Sequence, residues 1–96
     1  MSNQTTLEML EARVTMLNNA LDQPTEYWDK TSARPCHNVG HYYIGRAYGG
    51  YRLEQIASGT GAARDISPRG TKREPWDYVT AMITGVEAAQ NIYAND

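Results

Sequence analysis

Residues 41–58, HYYIGRAYGGYRLEQIAS, decide the fold: two runs rich in Tyr and Ile flank Gly49-Gly50, the pattern of a two-residue β-hairpin whose loop needs φ > 0. With Gly49-Gly50 as the loop, Tyr48 faces Tyr51 and Ile44 faces Gln55. One face of the hairpin then carries Tyr42, Ile44, Arg46, Tyr48, Tyr51 and Leu53; the other carries His41, Tyr43, Ala47, Arg52, Glu54 and Ile56. Both faces mix apolar and charged side chains, so neither reads as a plain solvent face. Beyond the SGTG turn, AARDIS (62–67) has the length of a short third strand.

Helical patterns lie on both sides. Leu7, Leu10, Val14, Leu17 and Leu21 recur at steps of three and four, which predicts an amphipathic helix over 6–21 with Thr5 and Glu8 as its capping box. Two heptads are too few for a free-standing coiled coil. The stripe therefore serves either as an internal core face or as a self-pairing seam with a second copy. Residues 71–93 predict a second helix, with Thr71 and Glu74 as capping box, Pro75 in the first turn, and Trp76, Val79, Ile83, Val86, Ile92 and Tyr93 as buried stripe. Gly85 weakens its middle by about 1 kcal/mol relative to Ala unless another backbone packs there. Between the first helix and the hairpin, 22–40 has two prolines, mixed charge and no period. It reads as a connector anchored by Tyr27 and Trp28.

The expected architecture is thus α+β: an N-terminal amphipathic helix (6–21) for oligomerisation, a small antiparallel sheet (41–67) with a Gly-Gly hairpin, and a C-terminal helix (71–93), in one domain spanning 1–96. A chain of 96 residues has no room for separate cofactor and catalytic domains. So small a core is usually supplemented by disulfides, a metal or a partner chain, and a single cysteine removes the first of these. The nine aromatics are seven Tyr and two Trp, with no Phe. Rings with polar tips suit interfaces and ligand pockets, so an oligomer is expected.

Net charge is −2, which argues against a dedicated DNA-binding protein. Its distribution is more telling. Residues 1–40 hold five acids and three bases, 41–75 hold six bases and three acids, and 76–96 hold three acids and no base. No apolar run approaches the roughly 18 residues of a membrane span, and MSNQTTLEML lacks a signal-peptide layout, so a cytosolic protein is expected.

The strongest chemical signal is SPRGTKRE (67–74). Arg69, Lys72 and Arg73 cluster at a predicted helix start, where free backbone N–H groups and the helix dipole favour an anion and guanidinium groups offer paired donors to phosphate. The competing reading pairs them with Asp65 and Glu74 or leaves them in water. Other patterns fail on physical grounds. Gly59-Thr60-Gly61 has Arg64 where a third small residue belongs and no βαβ unit around it. Cys36, His37 and His41 lack a fourth metal ligand nearby, and Cys36 beside His37 does not make a nucleophile and base, so neither a metal site nor a catalytic residue is expected. Flat rings, guanidinium groups and glycines together fit a nucleotide-like anion, and the short chain with acidic ends favours a small ligand over a long polyanion.

The string YYIGRAYGGYRLEQI, followed by a glycine-bearing turn, RDIS and PRGTKRE, resembles the first described family of phage anti-Thoeris proteins. These are small sponges that sequester the cyclic ADP-ribose signal made by bacterial TIR-domain proteins. The resemblance spans roughly residues 41–74; the flanking helices agree only in kind. It implies a non-enzymatic protein without cofactor, acting in the bacterial host cytoplasm and holding its ligand intact where subunits of a dimer or hexamer meet. Some members also bind cyclic trinucleotides at separate sites. Carried over residue by residue, the resemblance implies that Tyr42 stacks on the adenine, Arg52 makes a further polar contact where the family has an amide, and Arg69 and Arg73 hold the pyrophosphate. A two-residue hairpin puts Tyr42 and Arg52 on opposite faces, so these two share a site only across a subunit interface or with a longer loop. The rival reading is a small oligomeric adaptor that binds protein or nucleic acid through its Tyr/Arg-rich hairpin.

Overall fold

The hairpin forms, but its turn is one residue earlier than expected. In the computed structural model, which describes residues 5–29 and 36–94, strands β3 (Tyr42–Ala47) and β4 (Gly50–Ile56) pair antiparallel, with Ala47 opposite Gly50 and Ile44 opposite Leu53. The loop is therefore Tyr48-Gly49, not Gly49-Gly50. Both loop residues take positive φ, 53° at Tyr48 and 73° at Gly49. A left-handed Tyr costs about 1–2 kcal/mol, and the reason it is accepted is packing at the second glycine. A Cβ on Gly50 would lie 2.8 Å from Arg69 Cγ and 3.3 Å from Gly70 O, so Gly50 is needed in the strand and not in the turn. The shift moves both strands by one residue and conserves parity, so each side chain keeps its expected face.

Two further strands precede the hairpin and one follows it. β1 (Trp28–Asp29) and β2 (Cys36–His37) form a two-residue ladder inside what reads as a structureless connector; Lys30 to Pro35 lie outside the described residues. β5 (Ala63–Asp65) adds the expected third strand, giving the order β3-β4-β5. Past β5 the chain bulges: the N–H groups of Ile66 and Ser67 both donate to Leu53 O, at 2.9 and 3.2 Å. The buried Ser67 hydroxyl in turn accepts from Leu53 N at 2.9 Å. The strand line then resumes, and Tyr51 and Gly70 exchange two backbone hydrogen bonds of 2.8 and 2.9 Å.

Both helices cover one face of this sheet. α1 (Leu7–Ala20) packs on β3, α2 (Arg73–Ala94) packs on β4, and the helices touch each other. Val14, Leu17, Tyr42, Leu53, Val79 and Ile83 form the core between the layers. Leu10, Val14 and Leu17 are thus buried within the chain. Within the chain the middle of the α1 stripe therefore serves as an internal core face, while Leu7 and Leu21 at its ends are half-buried.

The caps also differ from expectation. α1 is capped by Thr6, whose hydroxyl accepts from Met9 N at 3.1 Å, so Thr5 and Glu8 do not form the box. α2 starts at Arg73, two residues after Thr71, with Pro75 buried in its first turn and Glu74 N donating to Thr71 O. Val79 and Ile83 are buried as expected, whereas Ile92 is exposed. At 22 residues against 14, α2 outruns the layer it packs in. The Tyr93 side chain lies outside the described residues. A Cβ on Gly85 would meet nothing within 4 Å, so no packing offsets its helix cost.

One polar residue joins the two layers. Asn18, buried on α1, accepts from Tyr42 N at 2.8 Å and donates to Tyr42 O at 3.0 Å, so its amide takes the place of a neighbouring strand at the open edge of β3. Removing that amide strands two buried backbone groups at once. Asn18→Ala is expected to lower unfolding stability by about 2–4 kcal/mol, read from urea denaturation; a loss below about 0.5 kcal/mol would show that water replaces the amide.

Candidate functional site

The pairing of Tyr51 with Gly70 carries the basic segment back to the hairpin end, where cations and rings meet. Arg69 lays its stem across Gly50 and donates from Nη1 to Ala47 O at 3.0 Å. Its guanidinium carbon is 5.8 Å from the centre of the Tyr48 ring, and Lys72 Nζ is 5.2 Å from the centre of the Tyr51 ring. Arg73 follows in the first turn of α2, exposed, with Nε 3.0 Å from Asp77 Oδ1. The expected competition from Asp65 and Glu74 does not arise as drawn: Asp65 pairs with Arg52 at 3.2 Å, and Arg73 takes Asp77. An exposed i,i+4 pair of this kind contributes little, so Arg73 is readily drawn to a stronger anion. Arg69 keeps further N–H donors beyond the one used on Ala47.

Tyr42 and Arg52 lie elsewhere. Tyr42 stands at the start of β3 with its ring in the core, 8% exposed, the whole strand away from Arg69, roughly 17 Å at strand spacing. It also lines an open cleft of about 240 Å³ between α1 and the β3 edge, together with Glu11, Thr15, Asn18, His41 and Ile44. Arg52 is on the opposite face, as parity requires, bound to Glu54 (3.6 Å) and Asp65. Its buried Nε has no hydrogen-bond partner among the described residues. Within one chain, then, Arg69 and Arg73 share an end of the sheet, and neither Tyr42 nor Arg52 joins them.

The outer face also gathers rings. Tyr27 meets the edges of Trp28, His37 and Tyr43 at centroid distances of 5.5, 4.8 and 5.3 Å, which is the anchoring expected of Tyr27 and Trp28. Gly61 takes φ 99° and leaves the His37 ring room against its Cα. Gly45 does the same for the Glu54 carboxylate. The metal-capable trio disperses: Cys36 Sγ is 3.8 Å from Asp29 Oδ2, His37 Nδ1 is 3.4 Å from Gly59 O, and His41 Nδ1 donates to Pro24 O at 2.8 Å. Among the described residues no three His, Cys, Asp or Glu side chains converge on a metal position. None of the described helices is long and apolar enough to cross a membrane.

Tyr48 and Tyr51, whose rings lie beside Arg69 and Lys72, are the residues that the sequence pattern alone does not assign to the site. Their signal is the return of Gly70 to Tyr51, which depends on the bulge at Ile66 and Ser67 and has no local sequence mark. No protein-family model matches the chain, and neither the curated proteins nor the solved structures yield a match.

Burial pushes the Tyr43 phenol up to about 12, helped by the neighbouring Glu54 carboxylate and Tyr27, with Arg52 opposing. The folded value lies above the ordinary 10.0, so this stabilisation is complete below pH 10 and is lost as pH rises through about 12. The urea midpoint is expected to fall more steeply between pH 10 and 12 for the parent than for Tyr43→Phe. Equal slopes would contradict the environment described for Tyr43.

Proposed function

We propose that this protein is a non-catalytic sponge that binds a cyclic ADP-ribose-type signalling nucleotide intact and so blocks TIR-dependent immunity in the bacterial cytoplasm. The observation that carries the reading is the convergence of Arg69, Lys72 and Arg73 with the rings of Tyr48 and Tyr51 at one end of the hairpin. Guanidinium and ammonium groups match pyrophosphate oxygens, and phenol rings match a purine face. The resemblance of residues 41–74 to anti-Thoeris sponges supports the same ligand class and assigns Tyr42 and Arg52 to it as well. Cyclic trinucleotides belong to this proposal as ligands of a separate site.

Self-association is part of the reading, because Tyr42 and Arg69 stand at opposite ends of β3. The Tyr42 backbone groups point to the open edge, where Asn18 meets them; by alternation those of Ile44 and Arg46 point the same way. A second copy running antiparallel along that edge would bring the Tyr42 end of one chain to the hairpin end of the other. Such a contact serves a dimer, or the dimers within a hexamer.

A sponge that competes with a cellular sensor needs a dissociation constant near nanomolar, about −12 kcal/mol. Hydrogen bonds to charged groups contribute about 1.5–3 kcal/mol each, so several contacts must act together. Incubation with the cyclic ADP-ribose made by a TIR-domain enzyme, followed by heat denaturation, is expected to release intact ligand only on heating. Altered ligand would mean an enzyme, and ligand free throughout would contradict the proposal. Affinity for single-stranded nucleic acid that falls steeply with salt would point instead to the adaptor reading. Arg69→Ala and Arg73→Ala are each expected to weaken binding by about ten- to a hundredfold with the fold intact; binding unchanged in the double variant would overturn the site assignment.

A further inference from the structure

Tyr48 occupies the position in the molecule least suited to it. Its φ of 53° is left-handed, and the first place of a two-residue hairpin loop with two positive φ angles favours Asn, Asp or Gly. Among the described residues the other non-glycine with positive φ, at 55°, is Asp22, a residue type that tolerates this region. Tyr48 is also 99% exposed, so its ring gains nothing from burial that would offset the strain. Packing at Gly50 sets where the turn falls but does not call for Tyr at its first place, and a residue type that the turn disfavours and burial does not repay points to a role outside the folded chain.

The surroundings indicate which role. The Arg69 guanidinium lies 5.8 Å from the centre of the ring and is tied to the turn through Ala47 O. The ring itself is open to solvent, Tyr48 being almost fully exposed. The neighbouring strand carries Tyr51 with Lys72 at its ring. A tight turn holds the phenol out from the sheet beside Arg69, with Lys72 at the Tyr51 ring on the adjoining strand, whereas the Tyr42 ring is packed in the core.

We propose that Tyr48 is a stacking residue: its ring carries the planar base of a nucleotide whose phosphates lie on Arg69 and Lys72. The assignment rests on the functional reading above and adds to it a residue that neither the sequence pattern nor the resemblance names. It accounts for a Tyr where the turn favours Asn: the loop gives up local stability for a ring pre-positioned against its cation.

The test uses Tyr48→Asn and Tyr48→Trp in the full chain, with cyclic ADP-ribose isomers as probe. Tyr48→Asn creates Asn-Gly, the favoured pair for this turn, and is expected to raise the melting temperature while weakening binding at least tenfold. Tyr48→Trp is expected to stay within about threefold of the parent. Retained affinity in Tyr48→Asn, alongside loss in Arg69→Ala, would overturn the Tyr48 assignment and leave the functional reading standing. A folded parent that binds none of the isomers would overturn that reading and this assignment with it.

Discussion

The backbone exchange between Tyr51 and Gly70 is the constraint on which the rest depends, because it decides what stands beside the hairpin. Two hydrogen bonds draw the segment after β5 back beside β4 as far as Tyr51. Arg69 is then forced across Gly50, and Gly50 must stay free of a side chain. With Gly50 held in the strand, the turn moves back to Tyr48-Gly49 and puts a Tyr into left-handed backbone. One long-range pairing thereby sets the register, the strain at the tip and the approach of cations to rings.

The two ends of β3 serve different purposes. At the Tyr42 end, Asn18 closes the strand edge and locks the helix layer to the sheet with a polar contact buried among aliphatic side chains. At the Tyr48 end the tip itself is exposed, Tyr51, Arg69 and Lys72 are half-buried, and the side-chain contacts include cations against rings. The core is concentrated where the helices cover the sheet, and the tip residues Tyr48 and Gly49 stand outside it, exposed. The outer face is intermediate: Arg52 is held by Glu54 and Asp65, and the aromatic group around Tyr27 covers the start of the hairpin.

Features with a period were legible in the sequence. The three-and-four spacing of Leu10, Val14 and Leu17 marked a buried helix face, alternation put Tyr42 with Leu53 and opposite Arg52, and Pro75 marked a first helical turn. Features decided by one distant contact were not. Asn18 looks like an ordinary polar position until the edge of β3 lies against it. Gly49-Gly50 looks like a loop because both residues accept positive φ, and only the packing of Arg69 shows that one of them is needed elsewhere. Glu8 three residues on favours Thr5 as the cap in sequence, yet the helix starts one residue later and Thr6 caps it. Of the candidate site, Arg69 and Arg73 were legible from their spacing at a helix start, whereas Tyr48 was hidden because its signal is a conformation.

The central claim is that the hairpin end, with Tyr48, Tyr51, Arg69, Lys72 and Arg73, receives a nucleotide-type anion. Backbone amide shifts of the isotope-labelled protein, followed during titration with cyclic ADP-ribose isomers, address it most directly. The account predicts saturable shifts concentrated at residues 47–52 and 69–74. Shifts confined to the aromatic group around Tyr27 and His37, or the absence of any shift at ligand excess, would contradict it.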